Sequence, residues 1–200
     1  LSRRIGLLTG TFDPIHLGHI ELAEAALRVF ELERALIWVN AEAPHKVGVT
    51  PYADRLAMTK FATGGHDGIE VYEGELSAQP HNMSTFLKLA GRYADAELCY
   101  IVGADTFANI YRWDDVQSVV EHTTFLLAER GSKQAHTVVR ELSERLGASS
   151  EHLRVELFEF AGHNEASSLR VRAQLRAAGR PDVIDPRVYQ YILENRLYRA

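Results

Sequence analysis

A chain of 200 residues, 46% hydrophobic and 24% charged, can bury a substantial core and fits one ordinary globular domain spanning residues 1–200. Its formal charge of −5 argues against a nucleic-acid surface, which needs a basic patch, although a few local cations would hold a small anionic ligand. No apolar run approaches membrane-span length and no signal-peptide pattern is present, so the expectation is a cytoplasmic protein without a membrane partner.

In chain order, apolar or β-rich runs recur at "RIGLLT", "RALIWVN", "IEVYEGEL", "LCYIVGA", "TTFLLAER" and "LRVELFEF". Helical patterns lie between them at 18–31, 52–63, 84–93, 114–121 and 134–146. Two more helices close the sequence, 167–179 and 186–195, separated by "GRPDVIDP" with its Gly179, Pro181 and Pro186 breaks. Strands alternating with helices predict an α/β fold. The expected form is a Rossmann-like, doubly wound parallel sheet with helices on both faces. The single cysteine, Cys99, falls inside an apolar strand and reads as a packed core residue.

The first strand runs into "GTFDPIHLGH", Gly10 to His19, and then into a helix with Ile20, Ala23, Leu27 and Phe30 on one face. A strand-to-helix turn is where such sheets bind phosphates. Gly10 permits close approaches that a Cβ would block. The helix start offers N–H groups and a positive dipole end, with His16 and His19 at the mouth of the turn. The turn is expected to be exposed. Two histidines three apart, with Asp13, could alternatively ligate a metal, but that spacing alone is a weak signal. The dinucleotide G-x-G-x-x-G and the P-loop lysine pattern are both absent.

Further along, Asp105 follows the fourth strand, where an aspartate commonly caps a helix. Trp113 offers a flat apolar face with an indole donor, or simply fills the core. In "EASSLRVR", Ser167 or Ser168 is a natural N-cap. Arg170 and Arg172 then fall near a helix N-terminus, where the dipole disfavours cations unless an anion binds between them.

These strings together resemble the nucleotidylyltransferase superfamily, in which H-x-G-H marks this turn. "TFDP" ahead of it resembles the nicotinate-nucleotide adenylyltransferase branch. The resemblance implies that His16 and His19 contact ATP phosphates and that Gly10, Thr11 and Phe12 contact the nucleotide. "APHK" resembles that branch's P-H-K/R loop, placing Lys46 in the phosphate region, while Arg55 and Met58 match its next helix in a structural role. "GADTFANIYRW" resembles the G-A-D-(S/T) segment with its tryptophan. That assigns Gly103 and Asp105 to ATP and Trp113 to the pyridine ring of the acceptor. "ASSLRVR" is similar to I-S-S-T-x-(I/V)-R, adding Ser167, Ser168 and a phosphate-binding Arg172, with Ala166 and Leu169 replacing the isoleucine and threonine.

The tail matches at Val188, Ile192 and Tyr198. The acceptor segment departs, with Pro80, His81, Asn82 and Met83 where the branch has P-S-Y-T; Asn82 and Met83 become the acceptor-binding candidates. The resemblance implies transfer of adenylyl from ATP to nicotinic acid mononucleotide, with Mg²⁺ accompanying ATP and with His16, His19 and Arg172 as the catalytic set. No separate metal site in the protein is expected. The competing readings are another phosphorylated acceptor (nicotinamide mononucleotide or phosphopantetheine), cytidylyl transfer, or a regulatory module that binds nucleotide without turnover. Oligomeric state is left open, a homo-oligomer included.

Overall fold

A computed structural model describes residues 3–41, 47–73, 83–113, 115–129, 134–163 and 165–199. In chain order the elements are β1 (Arg3–Gly10), α1 (Leu17–Val29), β2 (Arg34–Val39), α2 (Tyr52–Thr63), β3 (Ile69–Val71), α3 (Met83–Arg92) and β4 (Ala96–Gly103). Then come α4 (Ala104–Phe107), α5 (Val116–His122), β5 (Thr124–Glu129), α6 (Gln134–Leu146), β6 (Arg154–Glu159), α7 (Ser168–Arg176) and α8 (Pro186–Glu194). The strands form one parallel sheet in the order β3-β2-β1-β4-β5-β6. The order reverses between β1 and β4. Ligands of open α/β sheets bind at the carboxyl ends of strands beside such a reversal.

Strand side chains alternate between faces, and the chain fills both. Leu8, Ile37, Cys99, Ile101 and Leu126 face one core, closed by Ile20 and Ala23 of α1, Met58 of α2, Val171 of α7 and Ile192 of α8. Ile5, Leu7, Trp38, Tyr100 and Phe125 face the other, closed by Phe86 and Leu89 of α3, Phe107 of α4, Val119 of α5 and Leu142 of α6. Near-continuous apolar strands are what a sheet buried on both faces requires. Cys99 lies in the first core, and burial pushes its thiol up to about 12, which makes it chemically inert there.

The structure differs from the sequence pattern in three places. Short helical turns at Ala104–Phe107, Ile110–Arg112 and Gly147–His152 were not anticipated, being too short to show a period. β3 ends at Val71, well before the end of "IEVYEGEL". Helix α7 ends at Arg176 rather than at 179. Ala178 turns left-handed at φ 55°, and the Gly179 N–H reaches back to the Gln174 carbonyl at 2.9 Å, a Schellman closure. Alanine occupies the left-handed place, so the glycine one residue later misleads. The α8 helix begins as expected: the Asp185 carboxylate accepts the Arg187 N–H at 2.7 Å and Pro186 fills the first position.

Candidate active site

The turn after β1 is buried, contrary to expectation: Thr11, Phe12, Asp13 and His16 are all inaccessible, His16 at 6%. Elements distant in sequence cover it. The Leu17 N–H donates to the Val183 carbonyl at 2.8 Å, the Ser168 hydroxyl to the Pro14 carbonyl at 2.9 Å, and an Arg172 Nη1 to the Asp13 carbonyl at 2.5 Å. The first amide of α1 is therefore occupied by protein. The His16 and His19 imidazoles, with Gly18 between them, face the adjoining space.

His16 is the N-cap of α1 and His19 its third residue. The His16 N–H donates to His19 Nδ1 at 3.2 Å, and the His19 N–H to the His16 carbonyl at 2.9 Å. This is the logic of a capping box with histidine in the place of glutamate. Because Nδ1 accepts, a neutral His19 carries its proton on Nε2. The rings stack at 3.7 Å between centroids, and Phe12 meets His19 edge-on at 4.9 Å. Phe12 stands at φ 48°, an uncommon conformation for a bulky residue. A Cβ on Gly10 would come within 2.8 Å of the Phe12 ring, so the close approach at Gly10 is made by the turn itself. Gly18 is demanded similarly: its Cβ would meet the His163 carbonyl at 2.9 Å.

Two adjoining cavities, of about 560 and 260 Å³, lie at this reversal point. Both are lined by His19, Gly103, Asp105, Ser168 and Arg172; His16, Ser167 and Leu169 border the larger, and Gly10, Thr11 and Phe12 the smaller. Ten of the fourteen sequence candidates thus line one crevice or the other. A Cβ on Gly103 would meet nothing within 4 Å, leaving that wall open. Asp105 is not the N-cap of α4, which is Gly103; it lies in the first turn, exposed at the crevice.

The serines have duties inside the fold. Ser167 caps α7 by accepting the Arg170 N–H at 3.2 Å, which leaves its hydroxyl proton available, whereas the Ser168 hydroxyl is donated to Pro14. The two arginines separate. Arg172 lines both cavities, while Arg170 binds Glu165 at 2.9 Å and borders a different hollow, so the two guanidiniums do not converge on one place for an anion, contrary to expectation. Leu169, where the family motif has threonine, is 67% exposed and presents an apolar wall to the larger cavity.

Trp113 is half-buried against Tyr100 (5.3 Å) and Phe125 (6.4 Å) at the edge of the second core and is not among the residues lining the two cavities. Lys46 and Asn82 lie outside the described residues, and Met83 is described only as the first backbone position of α3. Arg55 proves central to the scaffold. Its guanidinium, 1% exposed, donates to the carbonyls of Thr50, Thr11, Asn40 and Ala41 at 2.7–3.0 Å, tying the connections after β1 and β2 together. Burial lowers its pKa, and Asp13 opposes that shift. Asp13 itself gives one oxygen to the Tyr198 hydroxyl at 2.7 Å and has the other 3.8 Å from Arg172. It therefore faces Tyr198 and Arg172 rather than a metal shared with the histidines.

Residues 7–174 match the Cytidylyltransferase-like family model. A relative from Desulfitobacterium hafniense (strain DSM 10664 / DCB-2), named "Probable nicotinate-nucleotide adenylyltransferase", is 34% identical across 98% of this chain and 96% of its own length. One of the same name from Symbiobacterium thermophilum is 34% identical across 98% and 95%. The chain belongs to the nicotinate-nucleotide adenylyltransferase family. A solved nicotinic acid mononucleotide adenylyltransferase from Plasmodium falciparum, complexed with NaAD, superposes with a TM-score of 0.80 over 98% of this chain and 97% of its own, at 18% identity. That likeness concerns the fold, and it is the doubly wound sheet described above. Family membership makes the chain a nucleotidyltransferase, which sets aside the regulatory module without turnover.

Functional features without a plain sequence signal are the Asp13–Tyr198 hydrogen bond and a second link over the turn. In the latter, Glu21 accepts both the His163 N–H and, through its other oxygen, the His163 ring nitrogen, each at 2.7 Å. Partners 142 and 185 positions apart leave no local spacing to read.

Proposed function

We propose that this chain transfers the adenylyl group of ATP to nicotinic acid mononucleotide, giving deamido-NAD and pyrophosphate. The observation that carries this is the stacked His16–His19 pair beside Arg172 at the β1/β4 reversal, in a family whose members bear that activity's name. The acceptor's phosphate oxygen attacks the α-phosphorus in line. The new P–O bond forms as the bond to the bridging oxygen breaks, and pyrophosphate carries away that electron pair. No covalent enzyme intermediate is required.

His19 Nε2–H and the His16 ring stabilise charge developing on the α-phosphoryl oxygens, and Arg172 holds the phosphates. Gly10, Thr11, Phe12, Gly103 and Asp105 line the nucleotide's place, Ser167 adds a hydroxyl donor, and Ser168 holds α7 against the turn. The family resemblance alone assigns Lys46 to the phosphates and Asn82, Met83 and Trp113 to the acceptor. Among the described residues no three His, Cys, Asp or Glu side chains converge as a metal site. Asp105, exposed at the rim of the crevice, would help hold a divalent cation that accompanies ATP. Mg²⁺ there would neutralise triphosphate charge.

Nicotinate carries a carboxylate and nicotinamide a neutral amide, so donors such as Asn82 favour the former. A preference of about tenfold is expected, since each unpaired donor costs roughly 1–3 kcal/mol. Competition between the two mononucleotides in one reaction with ATP, with both dinucleotides and pyrophosphate quantified, tests the assignment. Predominant amide dinucleotide would overturn the acceptor, and absence of pyrophosphate with either would overturn the reaction.

A further inference from the structure

Arg172 has two possible clients. One is an anion in the crevice; the other is Asp13, whose carboxyl oxygen lies 3.8 Å from Nη1 while the same Nη1 already binds the Asp13 carbonyl at 2.5 Å. A buried carboxylate and a guanidinium so placed would ordinarily close into a bidentate pair. They do not close here. The other Asp13 oxygen is held at 2.7 Å by the Tyr198 hydroxyl, which comes from beyond α8.

The backbone that delivers this hydroxyl is unusual. Helix α8 ends in a Schellman turn, with Arg196 at φ 54° and the Leu197 N–H on the Ile192 carbonyl at 3.0 Å. Two residues later Tyr198 is again left-handed, at φ 60°. Left-handed conformations in an arginine and a tyrosine persist where surrounding contacts over-determine them. The phenol is embedded between the turn after β1 and Thr50, which also hydrogen-bonds it, and burial raises its pKa, so it stays a donor.

We propose that Tyr198 is a positioning residue that holds the Asp13 carboxylate away from Arg172 and so keeps the Arg172 guanidinium available to the phosphates of ATP. Loss of the hydroxyl leaves a buried carboxylate oxygen unsatisfied beside a cation. Asp13 then rotates onto Arg172 and withdraws its donors from the crevice. The inference rests on ATP being the ligand there, as proposed above.

The test is ATP binding by calorimetry on the full chain, for wild type, Tyr198→Phe, Asp13→Asn and the double variant, with turnover and thermal unfolding alongside. Tyr198→Phe should weaken ATP by about tenfold, the loss of one charge-assisted hydrogen bond, and leave the KM of the acceptor unchanged. In the Asp13→Asn background the same substitution should do nothing further, because a neutral amide does not draw Arg172. A merely structural Tyr198 would lower thermal stability in both backgrounds and spare ATP affinity. Unchanged affinity in Tyr198→Phe, or an equal loss in both backgrounds, overturns the proposal. Should Tyr198→Phe fail to fold, Asp13→Asn decides alone: it should bind ATP at least as tightly as wild type, and a tenfold loss with a native fold overturns the idea. Failure of the wild type to turn over while these affinities shift as stated would instead condemn the proposed reaction.

Discussion

The two ends of the sheet use arginine in opposite ways. At the amino end of the strands, Arg3 pairs with Glu33 and Asp95, Arg4 with Glu97 and Glu156, and Arg34 with Glu33 and Glu70. Every one of these cations meets carboxylate. At the carboxyl end, Arg55 is bound to four main-chain carbonyls and Arg172 to a fifth, with Asp13 the buried carboxylate near both. Carbonyls fix a guanidinium in place without cancelling its charge. At one end each guanidinium is matched by carboxylates; at the other the guanidiniums are held mainly by carbonyls, with Asp13 and Asp105 the neighbouring acids. The end where guanidiniums rest on carbonyls is also the end with the histidines.

The comparison breaks most visibly at the histidines. His19→Ala should lower turnover by about 10²–10³-fold, as loss of an oxyanion donor does, and His16→Ala by a similar amount. Since the pair also caps α1, some thermal stability should go with it, on the order of 1 kcal/mol. Steady-state kinetics beside a melting curve separates the two effects. Turnover within a few-fold of wild type in a folded His19→Ala protein would show that the carboxyl end of the sheet is not the reacting end.

Much of the fold and of the crevice was legible in the sequence, and what was not has a common cause. The continuous apolar runs and the helices between them outlined the sheet, and the serine pair Ser167–Ser168 marked the start of α7, with Ser167 the cap the structure selects. "GTFDPIHLGH" located the crevice. Its burial was not legible, because Val183, Ser168, Arg172 and Tyr198 cover the turn from the far end of the chain. Arg55 could be read only as structural, since four carbonyl acceptors leave no trace in side-chain identity. His19 as a capping-box acceptor was hidden as well, because histidine is not the residue that pattern looks for. Motifs report side-chain chemistry; the main chain that receives it stays silent.

The two arginines of α7 sharpen the comparison within one helix. Arg172→Ala should slow ATP-dependent turnover by about ten- to a hundredfold, the range expected for a lost charge-assisted hydrogen bond. Arg170→Ala should stay within about twofold, because its guanidinium is exposed and turned to Glu165. Measuring kcat and the KM for ATP in both variants checks this. The reverse ranking would mean that the hollow beside Arg170 and Gln174, and not the crevice of His16 and His19, receives the triphosphate.

The smallest expected effect comes from the amino end, and it is diagnostic because it is small. Arg34 lies at the start of β2 and pairs at 2.8 Å with Glu33 and at 3.0 Å with Glu70, all partly solvated. Arg34→Gln should leave kcat and both KM values unchanged and reduce stability by less than about 1 kcal/mol, as exposed pairs do. The hydrogen bonds from Arg3, and then Arg34, hold the Glu33 carboxyl down at about 2, against an ordinary value of 4.5. A depressed folded-state pKa means a contribution fully present above about 4.5 and lost as pH falls toward 2. The stability difference between wild type and Arg34→Gln should therefore be present at neutral pH and shrink across that acid window. Chemical denaturation of both proteins at neutral pH and near pH 3 measures it. A clear fall in turnover for Arg34→Gln would show that charge at the amino end reaches the reaction, and the two ends of the sheet could no longer be treated as separate.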